Sequence, residues 1–140
     1  MHKRRWVVLT LIVILLSGTA FSIASLIERR AARERQTRYA AALKEYSDEI
    51  KPSTSRQEVE AYLQLRNRSF GQMCCVRAER RAYADLVEVG QEKAPWFCNR
   101  NTVYIAFEFE TTEPHGLSAD ARGSDRLESV TLFPRLEQCL

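Results

Sequence analysis

Histidine and glycine are scarce in this sequence, with two and five among 140 residues. No Ser/His/Asp or Cys/His constellation, glycine-rich phosphate loop or haem-attachment motif can be assembled from it. The four cysteines include no C-x2–4-C pair, the form in which structural zinc sites usually present their ligands. His2 and His115 stand at no ligand spacing, so no metal and no other cofactor is expected. A basic surplus is also missing where nucleic-acid binding would need it. Residues 1–38 hold eight Lys/Arg against two acids, net +6, while residues 39–140 hold 13 against 16, net −3. The basic charge therefore belongs to the N-terminal segment, and neither a nucleic-acid partner nor a small-molecule substrate is expected for the rest.

What the first segment does have is a long apolar run. Trp6 to Ile27 is 22 residues without an ionisable side chain. About 20 such residues cross a roughly 30 Å hydrocarbon core as a helix, and Trp6 at one edge suits the interface. The expectation is a basic tail over residues 1–5 and a single transmembrane helix over 6–27 with the lipid bilayer as its partner. A cleaved signal peptide, with Ser22-Ile23-Ala24 at its processing site, is the rival reading. The run continues through Leu26 and Ile27, which favours the anchor. Three Lys/Arg precede the span and five follow it, a count that leans towards a cytoplasmic domain. The cysteines argue the other way.

Cys74, Cys75, Cys98 and Cys139 all follow the span. An even number of them without a metal pattern points to two disulfides in an oxidising compartment. Adjacent cysteines close a strained eight-membered ring, so Cys74 and Cys75 are each expected to take one of Cys98 and Cys139. The expected location is accordingly the cytoplasmic (inner) membrane, single-pass, with the domain on the extracytoplasmic side. The other readings are thiolate metal or redox chemistry at Cys74 and Cys75, and inert buried thiols in a cytoplasmic domain.

Residues 28–38 read as a charged helical stalk. Tyr39, Leu43, Tyr46 and Ile50 then recur on one helical face, opening a small α+β domain over residues 39–140. Pro52 breaks the helix. Ser55-Arg56-Gln57-Glu58 is a capping box for a second helix, with Val59, Tyr62, Leu63 and Leu65 as its buried stripe. Beyond Asn67 the period falls to two. Strands are expected over residues 70–76, 84–89, 102–110 and 127–133. In the third, Val103, Ile105, Phe107 and Phe109 should be buried, while Tyr104, Ala106, Glu108 and Glu110 face water. The fold class is α+β: an N-terminal transmembrane helix, then two helices packed on a three- or four-stranded antiparallel sheet. Residues 111–126 read as a long mobile loop.

The stretch Ile50-Lys51-Pro52-Ser53-Thr54-Ser55-Arg56-Gln57-Glu58-Val59-Glu60-Ala61-Tyr62-Leu63 resembles the turn and capped helix of the SmpA/OmlA outer-membrane lipoproteins and the β-lactamase-inhibitor-like domains. That resemblance implies two helices on an antiparallel sheet. Cys74-Cys75, Pro95-Trp96-x-Cys98 and the Leu-Glu-x-Cys ending at Cys139 are similar to a group of uncharacterised short single-span bacterial membrane proteins. No residue is assigned a catalytic role. Glu108 and Glu110 read as strand-surface carboxylates and His115 as a turn residue. Asp120 and Asp125 lack the ligand order of a calcium loop. Trp96 and Phe97 read first as a cover for a buried disulfide, and otherwise, with Tyr104, as a partner surface. The expected role is a non-enzymatic binding or assembly module of the cell envelope with an envelope protein as partner; the alternative is a redox- or metal-responsive protein using Cys74 and Cys75.

Overall fold

The computed structural model describes residues 2–74, 83–110 and 122–140, with the backbone alone for residues 2–18 and 20. Two units are distinguished, Met1–Arg38 and Tyr39–Leu140. In the first, helix α1 (His2–Glu49) begins, and Phe21, Ile23, Leu26 and Ile27 stand exposed on it. Among the described residues no helix is long and apolar enough to cross a membrane. The side chains of residues 6–18 and 20, most of the expected span, lie outside what is described.

The second unit is α+β, with two helices on a four-stranded antiparallel sheet in the order β1-β2-β3-β4. The strands are β1 (Gly71–Cys74), β2 (Tyr83–Glu92), β3 (Cys98–Glu110) and β4 (Arg126–Cys139). Tyr39 and Tyr46 on the last turns of α1, and Ile50 just past its end, are buried as their spacing predicts, and Leu43 is half-buried. Lys51-Pro52-Ser53-Thr54 then turns the chain, with Thr54 N–H donating to Lys51 O at 3.2 Å and Ser53 at φ 69°. A positive φ after proline is the geometry of a type II turn.

Helix α2 (Arg56–Leu65) starts on the expected capping box. Ser55 Oγ accepts from the Glu58 N–H at 3.4 Å, and Ser55 N–H donates to the Glu58 carboxylate at 2.9 Å. Glu58 is held below the usual carboxylate range, chiefly by its hydrogen bonds from the Ser55 hydroxyl and N–H. Beyond the Arg66 cap the chain leaves the helix at Asn67, whose φ of 53° lets the Arg68 N–H reach Leu63 O at 2.9 Å. Val59 and Leu63 are fully buried and Tyr62 half so, but Leu65 is 85 % exposed. Leu65 fails as a core residue because it lies two positions from Leu63, about 200° round the helix.

The core lies between the helices and one sheet face. Tyr46 meets Phe107 edge to face at 5.4 Å between centroids, with Val59, Leu63, Val87, Ile105, Phe109 and Leu127 around them. The other face is not uniformly wet, contrary to the alternation. Ala106 and Glu108 are buried, Tyr104 is half-buried, and Ala84, Leu86 and Ala106 form a second small cluster with Met73, Tyr104 and Phe133 against it. Glu108 accepts from Thr131 Oγ1 at 2.8 Å, a cross-strand bond of the kind a buried carboxylate requires. Strand β2 outruns its expected limit through a bulge between Glu88 and Gly90. Residues 75–76 of the first expected strand and 111–121 of the expected loop, with His115 and Asp120, lie outside the described residues.

Candidate functional site

The end of the β3–β4 ladder gathers four of the residues singled out by sequence, Cys98, Cys139, Trp96 and Phe97. Cys98 and Cys139 are direct partners in the antiparallel register, 4.0 Å apart at Cα, and are bonded to each other. This corrects the expected connectivity, because neither is left for a vicinal cysteine. The reason is register: fourteen residues of β4 beside thirteen of β3 bring the last cysteine opposite the first. The pairing extends each strand past its expected bound, so periodicity alone understated the reach of the ladder. Cys74, the exposed last residue of β1, is also disulfide-bonded, and Cys75 lies outside the described residues.

Trp96 and Phe97 precede this bridge in a turn closed by the Cys98 N–H on Pro95 O at 3.0 Å. Their rings meet edge to face at 5.8 Å. Trp96 is 91 % exposed and Phe97 41 %. The first expectation, that the pair covers a disulfide in the core, therefore gives way to a pair displayed outside it. Cys98 is itself buried, while the indole two residues before it stands in solvent. Leu140, fully exposed, is tied to the same end by its N–H on Phe97 O at 2.9 Å. An exposed tryptophan on a backbone fixed by a bridge is the kind of residue that anchors protein contacts.

Tyr104 does not join them. It lies six residues beyond Cys98 along β3, about 20 Å at strand rise. Its hydroxyl donates to Glu137 Oε1 at 2.8 Å, and Thr102 Oγ1 donates to the other Glu137 oxygen at 3.3 Å. Burial and then the Glu137 hydrogen bond push the Tyr104 phenol above its ordinary range. It is a half-buried cross-strand residue.

Sequence reasoning missed the most heavily buried polar group. Arg56, the first residue of α2, is 1 % exposed and pairs through Nη2 with Asp85 of β2, which is fully buried. Its Nε donates to Glu60 at 3.0 Å, and the guanidinium lies 5.1 Å from the centre of the Phe109 ring. Gln72 of β1 donates to the same Glu60 oxygen at 3.3 Å. Asp85 Oδ2 and Arg56 Nη1 are buried without a hydrogen-bond partner. The Asp85 carboxyl is pushed up to about 6, first by burial and slightly by Glu60, against the pull of Arg56. Nothing in the spacing of Arg56 and Asp85 announces the pair, since 29 residues separate them and each occurs in an ordinary polar context.

No three His, Cys, Asp or Glu among the described residues gather as a metal site. A groove of about 130 Å³ lined by Ile50, Pro52, Leu127, Glu128 and Val130 falls short of the roughly 300–1,000 Å³ of small-molecule pockets. Compared with protein-family models, curated proteins and solved structures, the chain matches none.

Proposed function

We propose that this chain is a single-span protein of the cytoplasmic membrane whose disulfide-stapled α+β domain, on the extracytoplasmic side, works by binding an envelope protein and not by catalysis. The observation that carries the binding role is Trp96, 91 % exposed and stacked edge-on against Phe97 beside the Cys98–Cys139 bridge. Water is a poor environment for an indole, and a bridged strand end presents it with little ordering entropy left to lose on docking. The anchor rests on the 22 uncharged residues from Trp6 to Ile27, within which Phe21, Ile23, Leu26 and Ile27 expose apolar side chains that hydrocarbon would bury. The oxidised cysteines fit a compartment outside the cytoplasm. The resemblance of residues 50–63 to the SmpA/OmlA lipoproteins belongs to the same envelope reading.

The test is a photo-crosslinking residue placed at position 96 of the full-length chain in native membranes, with position 65 as the exposed control. One discrete adduct from position 96 and none from position 65 is the expected outcome. Equal labelling at both positions, or none at either, would remove Trp96 as the contact.

A further inference from the structure

Helix α1 runs without a break from His2 to Glu49, so the residues after the apolar run keep a fixed height and direction relative to it. Residues 28–38 hold five arginines and no lysine, against two acids. Arg29, Arg30 and Arg33 are exposed, and none has a side-chain partner among the described residues. At 3.6 residues per turn the three fall within one sector of about 100° round the helix, and Glu28 and Glu34 fall outside it. Leu26 lies in the same sector one turn earlier and Ile23 at its margin, both exposed. An apolar stripe thus passes directly into three guanidiniums with nothing to pair them.

We infer that Arg29, Arg30 and Arg33 bind the phosphodiester of an anionic phospholipid whose acyl chains lie along Ile23 and Leu26. The inference rests on the single-span reading proposed above. Along the helix axis the three arginines stand about 3, 4.5 and 9 Å beyond Ile27, the last residue of the apolar run. The headgroup layer on each side of a bilayer is roughly 5–8 Å deep, so Arg29 and Arg30 lie within it. Side chains on a helix slant towards its N-terminus, which here is the direction of the bilayer, and that slant brings the Arg33 guanidinium back to the phosphates. The residue type fits the ligand. A guanidinium donates two parallel hydrogen bonds to a phosphate and sheds its water more readily than an ammonium does. Arg35 and Arg38 lie in other directions round the helix, and Arg35 is already engaged within the chain, so neither belongs to the site.

The experiment uses the full-length chain reconstituted in phosphatidylcholine vesicles, with a trace of spin-labelled lipid in both leaflets so that orientation does not matter. Electron spin resonance reads the fraction of label immobilised on the protein, first for labelled phosphatidylglycerol and then for labelled phosphatidylcholine. The expected result is a preference of about fivefold or more for phosphatidylglycerol, the factor that a single basic residue contributes at a charged surface. That preference should fall by more than half when Arg29→Gln, Arg30→Gln and Arg33→Gln are combined. It should fall by less than half when Lys3→Gln, Arg4→Gln and Arg5→Gln are combined at the other end of the span. Circular dichroism checks the helix in each variant. Should the stalk triple fail to fold, Arg29→Gln and Arg33→Gln singly should each lower the preference, and indifference to both overturns the inference. Inorganic phosphate should displace no more lipid than sodium chloride of equal ionic strength; if it abolishes the preference, the site is one for a free anion and the lipid assignment falls. A natural chain that immobilises both labels alike overturns the inference alone, as does a preference that only the tail triple removes. A chain that immobilises neither label has no span in the bilayer, and the anchor falls together with the inference. None of these readouts involves Trp96, so failure here and failure of the aromatic docking surface are told apart.

Discussion

Arg56 and Asp85 show how one buried pair shapes the whole stability profile. Removing two charges from water is costly, and their attraction offsets that only when every remaining polar atom is satisfied. Here Arg56 Nη1 and Asp85 Oδ2 are not. Asp85→Ala should therefore destabilise the domain by about 3–5 kcal/mol, because it strands the guanidinium with Glu60 alone. Arg56→Met with Asp85→Leu should cost far less, and urea denaturation of the three chains measures the difference. The same pair sets a pH dependence. Because the folded carboxyl of Asp85 lies at about 6, above its ordinary 3.8, its contribution is fully present below about 4 and is lost as pH rises through 6. Arg56, Glu60 and Gln72 are the charged and polar groups facing it. The urea midpoint of the natural chain should rise relative to Asp85→Asn between pH 7 and pH 5. A constant difference would show that Asp85 is not raised. Glu49 and Glu58 work in the opposite sense. Tyr62 and Arg66 lower Glu49, Ser55 lowers Glu58, and their contributions fade only at more acid pH.

At the scale of elements, the close approach of α1 to β2 depends on a residue without a side chain. Gly90 follows the bulge, and a Cβ there would stand 2.7 Å from the buried ring of Tyr39, whose hydroxyl donates to Gln91 O at 3.2 Å. Gly90→Ala should cost about 1–3 kcal/mol by overpacking. In a Tyr39→Leu background the same change should cost clearly less, and a double-mutant cycle by thermal unfolding reads that coupling. The strands were legible only in their middles. Val103 to Phe109 announce β3 by alternation, but Asn99, Arg100 and Asn101 carry no strand signal and are held in the ladder by Gln138, Glu137 and Leu136 opposite. Pairing, not propensity, carries both strands out to the disulfide. That bridge closes 41 residues of chain and contributes on the order of 3–4 kcal/mol by loop entropy.

For the whole molecule, the anchor and the domain make separable demands. The full-length chain should stay with membranes through alkaline carbonate extraction, and a chain beginning at Arg29 should be released while keeping the same melting transition. Release of the full-length chain would sink the spanning helix and leave the processed signal peptide as the reading of residues 6–27. Two units meeting at residues 38 and 39 make this dissection reasonable, since the second contains the whole sheet and its core.

Sequence alone determined the local elements: the Pro52 turn, the Ser55–Glu58 box, the apolar faces of Tyr39 to Ile50 and Val103 to Phe109, and the α+β class. Each follows from interactions between residues a few positions apart, which period and capping chemistry express directly. Tertiary structure decided what depends on distant partners. It bonded Cys98 to Cys139 through register, buried Arg56 against Asp85, covered the face expected to be wet around Ala106 and Glu108, and left Trp96 outside. A residue's own neighbours in sequence do not fix which strand will lie beside it, and every one of those outcomes is set by that choice.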